Sequence, residues 1–394
     1  MNTVIDADSH FFEQPGLWSS YMPAGEKHLA LDIEEDELGY SWLTHKGARL
    51  IQCYISEPGK LWESYGLPHR RQRSGEPALV RYGDMPAPYY DPESRRDALD
   101  DWGLAEQVMF PNWGLNFGWY LEGDVESELA NIGAWNRWAA EVTSVGKGRL
   151  RPVGHITLRA EISWISSQLE ALSKAGVTQI FLPTGLVNGK RLSHEDFDPV
   201  WAQIRSLGMV PTFHIGAFAE RVIDDGWQTN DVIQYMTLQS LVMNGFEAQV
   251  SVADLVLNGV FDRHPGLPWI VTEYSVGWIP ELMFRLDIGY DIHSQVTGTH
   301  NVDLKLRPSE YLTQNFRYVS FPSEGPQRIM DAVGSDILMF GSDYPHAEGV
   351  LSPYQDYSSQ VGDMGQRSYG QRTATGSHVP WVARRREGVF RCLK

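Results

Sequence analysis

Short apolar or β-branched runs, each bounded by Gly, Pro or polar residues, alternate along the chain with longer stretches whose apolar positions fall three or four apart. The short runs occupy residues 3–8, 106–110, 150–156, 177–182, 209–214, 269–273, 317–321 and 337–341. Runs of that length and composition predict strands. In residues 127–142, Leu129, Ile132, Trp135 and Trp138 recur every three positions, and in residues 159–175 Ile162, Ile165, Leu169 and Leu172 recur every three or four. Both stretches predict helices with one buried face. Eight strands joined by helical crossovers predict an α/β fold closed as a (β/α)8 TIM barrel more readily than an open sheet.

The stretch between the first and second runs is far too long for a crossover. Within it, residues 28–55 read as a small β-sheet around a turn at 37–39, and residues 57–99, rich in Pro, Gly and Arg, read as irregular covering. Because the insertion leaves the C-terminal end of the first strand, it is expected to cap the barrel mouth, where the active sites of such barrels lie. The expected division is therefore a barrel from residues 1–14 and 100–355, an inserted cap at 15–99 and a C-terminal extension at 356–394.

Composition narrows the partners. With 50 Asp and Glu against 33 Lys and Arg the formal charge is -17, a field that repels phosphate backbones and anionic lipid, so neither nucleic acid nor a membrane is an expected partner. The start MNTVIDADSHFFE lacks a basic region followed by an apolar one, and no apolar run is long enough to span a bilayer, so a soluble, cytoplasmic protein is expected. Cys53 and Cys392 are too few for a disulfide framework or a thiolate cage, and any metal would have to be held by His and carboxylate. The 14 Trp residues suit a broad apolar or aromatic ligand pocket as well as a core.

The candidate chemistry sits at strand ends. In Val4-Ile5-Asp6-Ala7-Asp8-Ser9-His10 the strand period of two points Asp6, Asp8 and His10 to one side, where a barrel interior would otherwise be apolar. The run 209–214 ends in His214, and the run 337–341 is followed by Ser342 and Asp343. Taken alone, His214 reads sooner as a satisfied core or loop histidine than as a ligand, and Asp343 sooner as a helix cap or turn residue. Together Asp8, His10, His214 and Asp343 form a hard N/O set from three strand ends, suited to one Zn2+, Fe2+, Mn2+ or Co2+ ion. His346 and Glu348 follow Asp343 on the same loop, and His155, Asn112, Trp113, Arg151 and Arg159 are further strand-end candidates for substrate contact.

On these residues the sequence resembles the metal-dependent amidohydrolase superfamily, in its amidohydrolase-related branch that includes aminocarboxymuconate semialdehyde decarboxylase and the resorcylate-type decarboxylases. The resemblance runs from about residue 3 to about 355. It is carried by Asp8-Ser9-His10, His214 in PTFHIG and Asp343 in GSDYPHAEG, and by the flanking stretches AWNRWAAE, FDPVWAQIRSLGMVP, FDRHPGLPWIVTEYSVGWIP and PSEYLTQNF. It implies a (β/α)8 barrel, one catalytic divalent ion, Zn2+ first and Fe2+ or Mn2+ next, and Asp343 as both ligand and proton-transfer group. Where many members carry a sixth-strand His, this sequence has Glu273, which could orient water or act as a general base. The tail SHVPWVARRREGVFRCLK, with Arg384, Arg385 and Arg386, departs from the family's usual ending.

Such an ion makes two reactions available, and they need nearly the same residues. In hydrolysis, metal-activated water attacks an acyl carbon of a bulky apolar or aromatic substrate while Asp343, helped by Glu273 or His346, moves the proton. In non-oxidative decarboxylation, an aromatic or enoic acid loses carbon dioxide. The unusual first strand, the aromatic content and the cap favour hydrolysis at this stage. A ligand-binding barrel without catalysis is the third reading, and the resemblance makes a homodimer plausible.

Overall fold

The computed structural model describes residues 4–217, 219–220, 238–243, 245–300 and 302–350. The first apolar run splits into β1 (Val4–Asp6) and β2 (His10–Phe11). Next come the antiparallel strands β3 (Leu31–Glu35), β4 (Ser41–His45) and β5 (Ala48–Cys53). The β4–β5 hairpin turns on Lys46 and Gly47, with φ of 49° and 79°, the paired left-handed conformation that a tight two-residue hairpin requires. The expectation of irregular covering at 57–99 gives way to helix in places, including α1 (Leu67–Arg73) and α2 (Pro92–Ala98). Pro at the first positions of both helices and the Asp91 carboxylate, accepting from Ser94 N, start them locally.

The remaining apolar runs are β6 (Leu104–Pro111), β7 (Leu150–Pro152) with its continuation β8 (Gly154–His155), β9 (Gln179–Phe181), β10 (Val210–His214), β11 (Trp269–Thr272), β12 (Phe316–Ser320) and β13 (Leu338–Phe340). All neighbouring pairs among them are parallel. β6 lies beside both β1 and β2 and beside β7, while β8 to β13 pair in chain order. The ring closes where Ala7 N donates to Phe340 O at 2.8 Å, His10 N donates to Tyr344 O at 2.7 Å, and Ser9 bridges Tyr344. Counting β1 with β2 and β7 with β8 as single interrupted strands, this is a closed eight-stranded barrel.

Helices α3 (Val125–Val145), α4 (Ile162–Ala175), α5 (Asp198–Ser206), α6 (Gly245–Leu257), α7 (Ile279–Thr297), α8 (Pro308–Gln314) and α9 (Pro326–Val333) lie among the crossovers. The barrel interior is filled by Ala7, Val210, Ile270, Val319 and Met339, as a packed core rather than a pore. Several Trp residues belong to the core and not to a ligand pocket: Trp18, Trp135, Trp201 and Trp269 are fully buried. Trp135 and Trp201 donate their indole N–H to Val153 O and Leu192 O, so each keeps its polar atom paired. Among the described residues no helix is long and apolar enough to cross a membrane.

Candidate metal centre

Beyond Asp6 the first strand breaks, and the break lets both Asp8 and His10 face the barrel axis from its C-terminal end. Asp8, His10, His214, Glu273 and Asp343 are all buried. His10 Nε2 lies 3.3 Å from Asp343 Oδ1, 3.7 Å from Glu273 Oε2 and 3.8 Å from Asp8 Oδ1. His214 Nε2 lies 3.0 Å from Glu273 Oε2 and 3.4 Å from Asp8 Oδ1. Each imidazole is aimed from behind: His10 Nδ1 is 3.1 Å from Pro111 O and His214 Nδ1 is 2.9 Å from Ile215 O. A carbonyl can only accept, so both Nδ1 atoms carry the proton and both Nε2 atoms present a lone pair to the centre.

Two backbone positions are held in the left-handed region to deliver their carboxylates. Glu273, just past β11, has φ 65°, and Asp343 has φ 55°. Such conformations cost on the order of 1–3 kcal/mol outside Gly and collect at functional sites. Gly341 has a related job at the seam, because a Cβ there would lie 2.5 Å from Val319 Cγ1 and 2.8 Å from Asp8 Cβ. Only glycine lets β13 come that close to the first strand.

Among the polar atoms at the centre, Asp8 Oδ1, His10 Nε2, His214 Nε2, Glu273 Oε2 and Asp343 Oδ2 are buried without hydrogen-bond partners. Lone pairs converging in a dry site repel one another and are costly unless a cation takes them up. Ligand atoms of Asp8, His10, His214 and Glu273 lie within 4.8 Å of one another, and so do those of His10, Glu273, Asp343 and His346. The donor set fits a divalent ion, and Glu273 stands inside it. Sequence reasoning made Glu273 a residue to orient water or act as a general base and did not count it among the ligands.

Electrostatics divide the cluster. Burial pushes the Glu273 carboxyl well above its usual range, and Asp343 and Asp8 push it further. Burial also raises Asp8, against the pull of His214. His10 falls to about 3 through burial and the nearby His346 charge. For Asp343 the upward push of burial is overcome chiefly by the His346 charge, which holds it ionised. Burial would lower His346, but the Asp343 charge and hydrogen bond carry it up to about 9. Its Nδ1 is 2.8 Å from Asp343 Oδ1 and its Nε2 is 2.7 Å from Asn112 Oδ1. Two acceptors, one on each nitrogen, are what an imidazolium needs.

Asn112, Trp113, Glu273, His346 and Glu348 line a cavity of about 160 Å3 beside this centre. Neither Lys nor Arg is among the described lining residues. Other sequence candidates lie elsewhere. His155 is sandwiched by Phe117 and Phe181, Arg151 pairs with Glu106, and Arg159 bonds Gly118 O, Ala219 O and Glu128. The Arg384 to Arg386 cluster lies outside the described residues. Two contributors were not anticipated. Glu13 accepts from the backbone N–H groups of Trp113 and Gly114 and so shapes the loop carrying Asn112; its place three residues after His10 was the available signal. Tyr65 donates to Glu348 Oε2 at 3.2 Å, and its Pro- and Gly-rich surroundings give no pattern that marks it.

Residues 121–360 match the family model of the amidohydrolases. The chain belongs to the amidohydrolase family. This amidohydrolase is 29% identical over 102 residues to a gamma-resorcylate decarboxylase of Rhodococcus jostii, a match covering 25% of the chain and 30% of that enzyme. In fold it is similar to an amidohydrolase of Mycobacterium avium subsp. paratuberculosis, with a TM-score of 0.76 at 21% identity over 95% of this chain and 98% of the other. It is also similar to a 5-carboxyvanillate decarboxylase of Novosphingobium aromaticivorans, solved with manganese and 4-hydroxy-3-methoxy-5-nitrobenzoic acid. There the TM-score is 0.64 at 16% identity over 95% of each chain. A 2,6-dihydroxybenzoate decarboxylase from Rhizobium gives 0.61 at 14% identity over 95% and 99%.

Proposed function

We propose that this amidohydrolase binds one divalent cation through Asp8, His10, His214 and Asp343, with Glu273 as a further ligand, and removes carbon dioxide from an aromatic carboxylic acid. Three carboxylates beside two imidazoles favour Mn2+ over Zn2+, since oxygen donors suit the harder ion. When bound, the ion would supply positive charge that draws electron density from the substrate's oxygens and offsets the carboxylates around it.

The protein's own groups supply the rest. The single observation that carries the reading is the placement of His346 at the cavity wall, with its Nδ1 2.8 Å from Asp343 Oδ1 and its Nε2 2.7 Å from Asn112 Oδ1. Decarboxylation needs an acid there, whereas hydrolysis needs first a base. In the proposed step the bond between ring carbon and carboxylate breaks, its electron pair stays on the ring carbon, and carbon dioxide leaves. The proton on His346 Nε2 then forms the new C–H bond, and solvent returns a proton to His346. Asp343, kept ionised, holds the imidazolium in place and does not carry that proton itself. The named decarboxylases above support the same choice, so the preference for hydrolysis taken from the first strand and the cap is set aside.

One observation keeps hydrolysis of a neutral acyl substrate as the second reading: Glu273 and Glu348 face the cavity with no Lys or Arg among its described lining residues. Hydroxybenzoates labelled with 13C at the carboxyl group, incubated with Mn2+-loaded enzyme in 2H2O, are expected to release labelled carbon dioxide. The phenolic product should gain one deuterium at the vacated carbon. Turnover of esters, thioesters or amides instead, with 18O from water in the released acid and no carbon dioxide from any acid, would reverse the choice.

A further inference from the structure

The cap contains a second cavity, of about 190 Å3, and Tyr54 lines both it and the reaction cavity. Tyr54 is therefore a wall that the two spaces share. Its hydroxyl is 3.3 Å from His69 Nδ1, and its ring meets that of Tyr65 edge-on at 6.0 Å. Tyr65 in turn lines the reaction cavity and bonds Glu348.

The second cavity is built mainly from apolar surface, including Ile55, Leu67, Ala78, Leu79 and the rings of Tyr40 and Tyr82. The one lining cation, Arg71, is engaged by Glu76 and by Pro77 O, and the one lining carboxylate, Glu63, is exposed. At its rim Leu79 and Val80 are exposed, 65% and 53%. Well-packed proteins rarely keep voids much larger than a water molecule. An apolar cavity of about 150 Å3 stays dry and takes a benzene-sized guest, which is the scale of this one.

We infer that the cap cavity receives an apolar substituent of the substrate, a short alkyl chain or a second ring, while the acid group lies beside His346 and Glu273. The inference rests on the proposed reaction in the neighbouring cavity and names its substrate class: aromatic acids carrying an apolar tail. Tyr54, anchored by one long hydrogen bond, is the side chain that yields to admit the tail.

The test is calorimetric titration of the Mn2+-loaded full chain with benzoate and with 4-ethyl-, 4-butyl- and 4-hexylbenzoate, beside 4-alkylphenols of the same lengths. In the acid series Kd should fall by about threefold per methylene until the chamber is full. Ala78→Phe within the cavity and Val80→Trp at its rim reduce the space for the tail, and both should flatten the dependence on chain length. Thermal unfolding identifies a variant that fails to fold, and the second variant then decides. An acid series with no gain from chain length, or a gain that survives in the folded filling variants, overturns the inference. If no benzoate binds but the phenols tighten with length, the aromatic-acid reading is what fails.

Discussion

The Asp6 carboxylate accepts the Ser342 hydroxyl at 2.6 Å and the Ser342 N–H at 2.8 Å, joining the first barrel strand to the segment that follows the last. It also accepts from Gln107 Nε2 at 2.8 Å. Replacing it with Asn turns an acceptor into a donor among donors. Leaving such groups unmatched costs about 1–3 kcal/mol each, so Asp6→Asn should unfold at clearly lower denaturant than wild type. Burial raises the Asp6 pKa from 3.8 to about 7. The folded state therefore binds the proton more tightly than the unfolded state, and the advantage conferred by Asp6 is largest below pH 4 and shrinks as pH rises to about 7. Urea melts of both proteins at pH 5 and pH 8 check the sign; a deficit in the variant that grows with pH would contradict it.

Removing the ion should loosen the whole barrel mouth. Three carboxylates and two imidazoles at the distances seen here repel one another without it. Binding at a hundred times Kd stabilises by about 2.7 kcal/mol. Dialysis against a chelator is expected to lower Tm, and stoichiometric Mn2+ should restore it, as followed by calorimetry with elemental analysis of the protein.

Glu273→Gln keeps the shape of the side chain and removes its charge. If Glu273 is a ligand, the variant loses metal on dialysis under conditions in which wild type retains it, and restoring activity needs about ten-fold or more excess Mn2+. Full retention of metal with normal turnover would place the carboxylate outside the coordination sphere.

His346→Gln removes the proposed acid and leaves the five buried ligands in place. Loss of a positioned acid costs roughly 10²–10⁴ in rate, so kcat should fall by that factor with little change in KM or in bound metal. The acid released as labelled carbon dioxide by wild type is the substrate to use. A fall of less than tenfold would remove His346 from the proton-transfer step.

Much of the barrel could be read from the chain because its strands are short apolar runs with sharp polar boundaries, and β10 and β12 lie within a residue of the runs that predict them. Asp8, His10, His214 and Asp343 were legible for a related reason: a strand fixes which side chains share a face, and a charged residue at its end stands out. Glu273 was harder, since its aim depends on a left-handed backbone that no periodicity reveals. The contacts of Tyr54 and Tyr65 come from irregular segments, where tertiary packing and not local pattern sets direction. Helix α1 was hidden because its Pro and Arg residues also suit a loop.

Arg95, fully buried in α2 at the far end of the cap, reaches back to donate to His10 O at 2.8 Å and to Gln107 Oε1 at 3.0 Å. The insertion is thus clasped at both margins by the very stretch that bears Asp8 and His10. Moving α2 off the barrel would break both bonds, so the far margin of the insertion is tied to the same strand that carries Asp8 and His10.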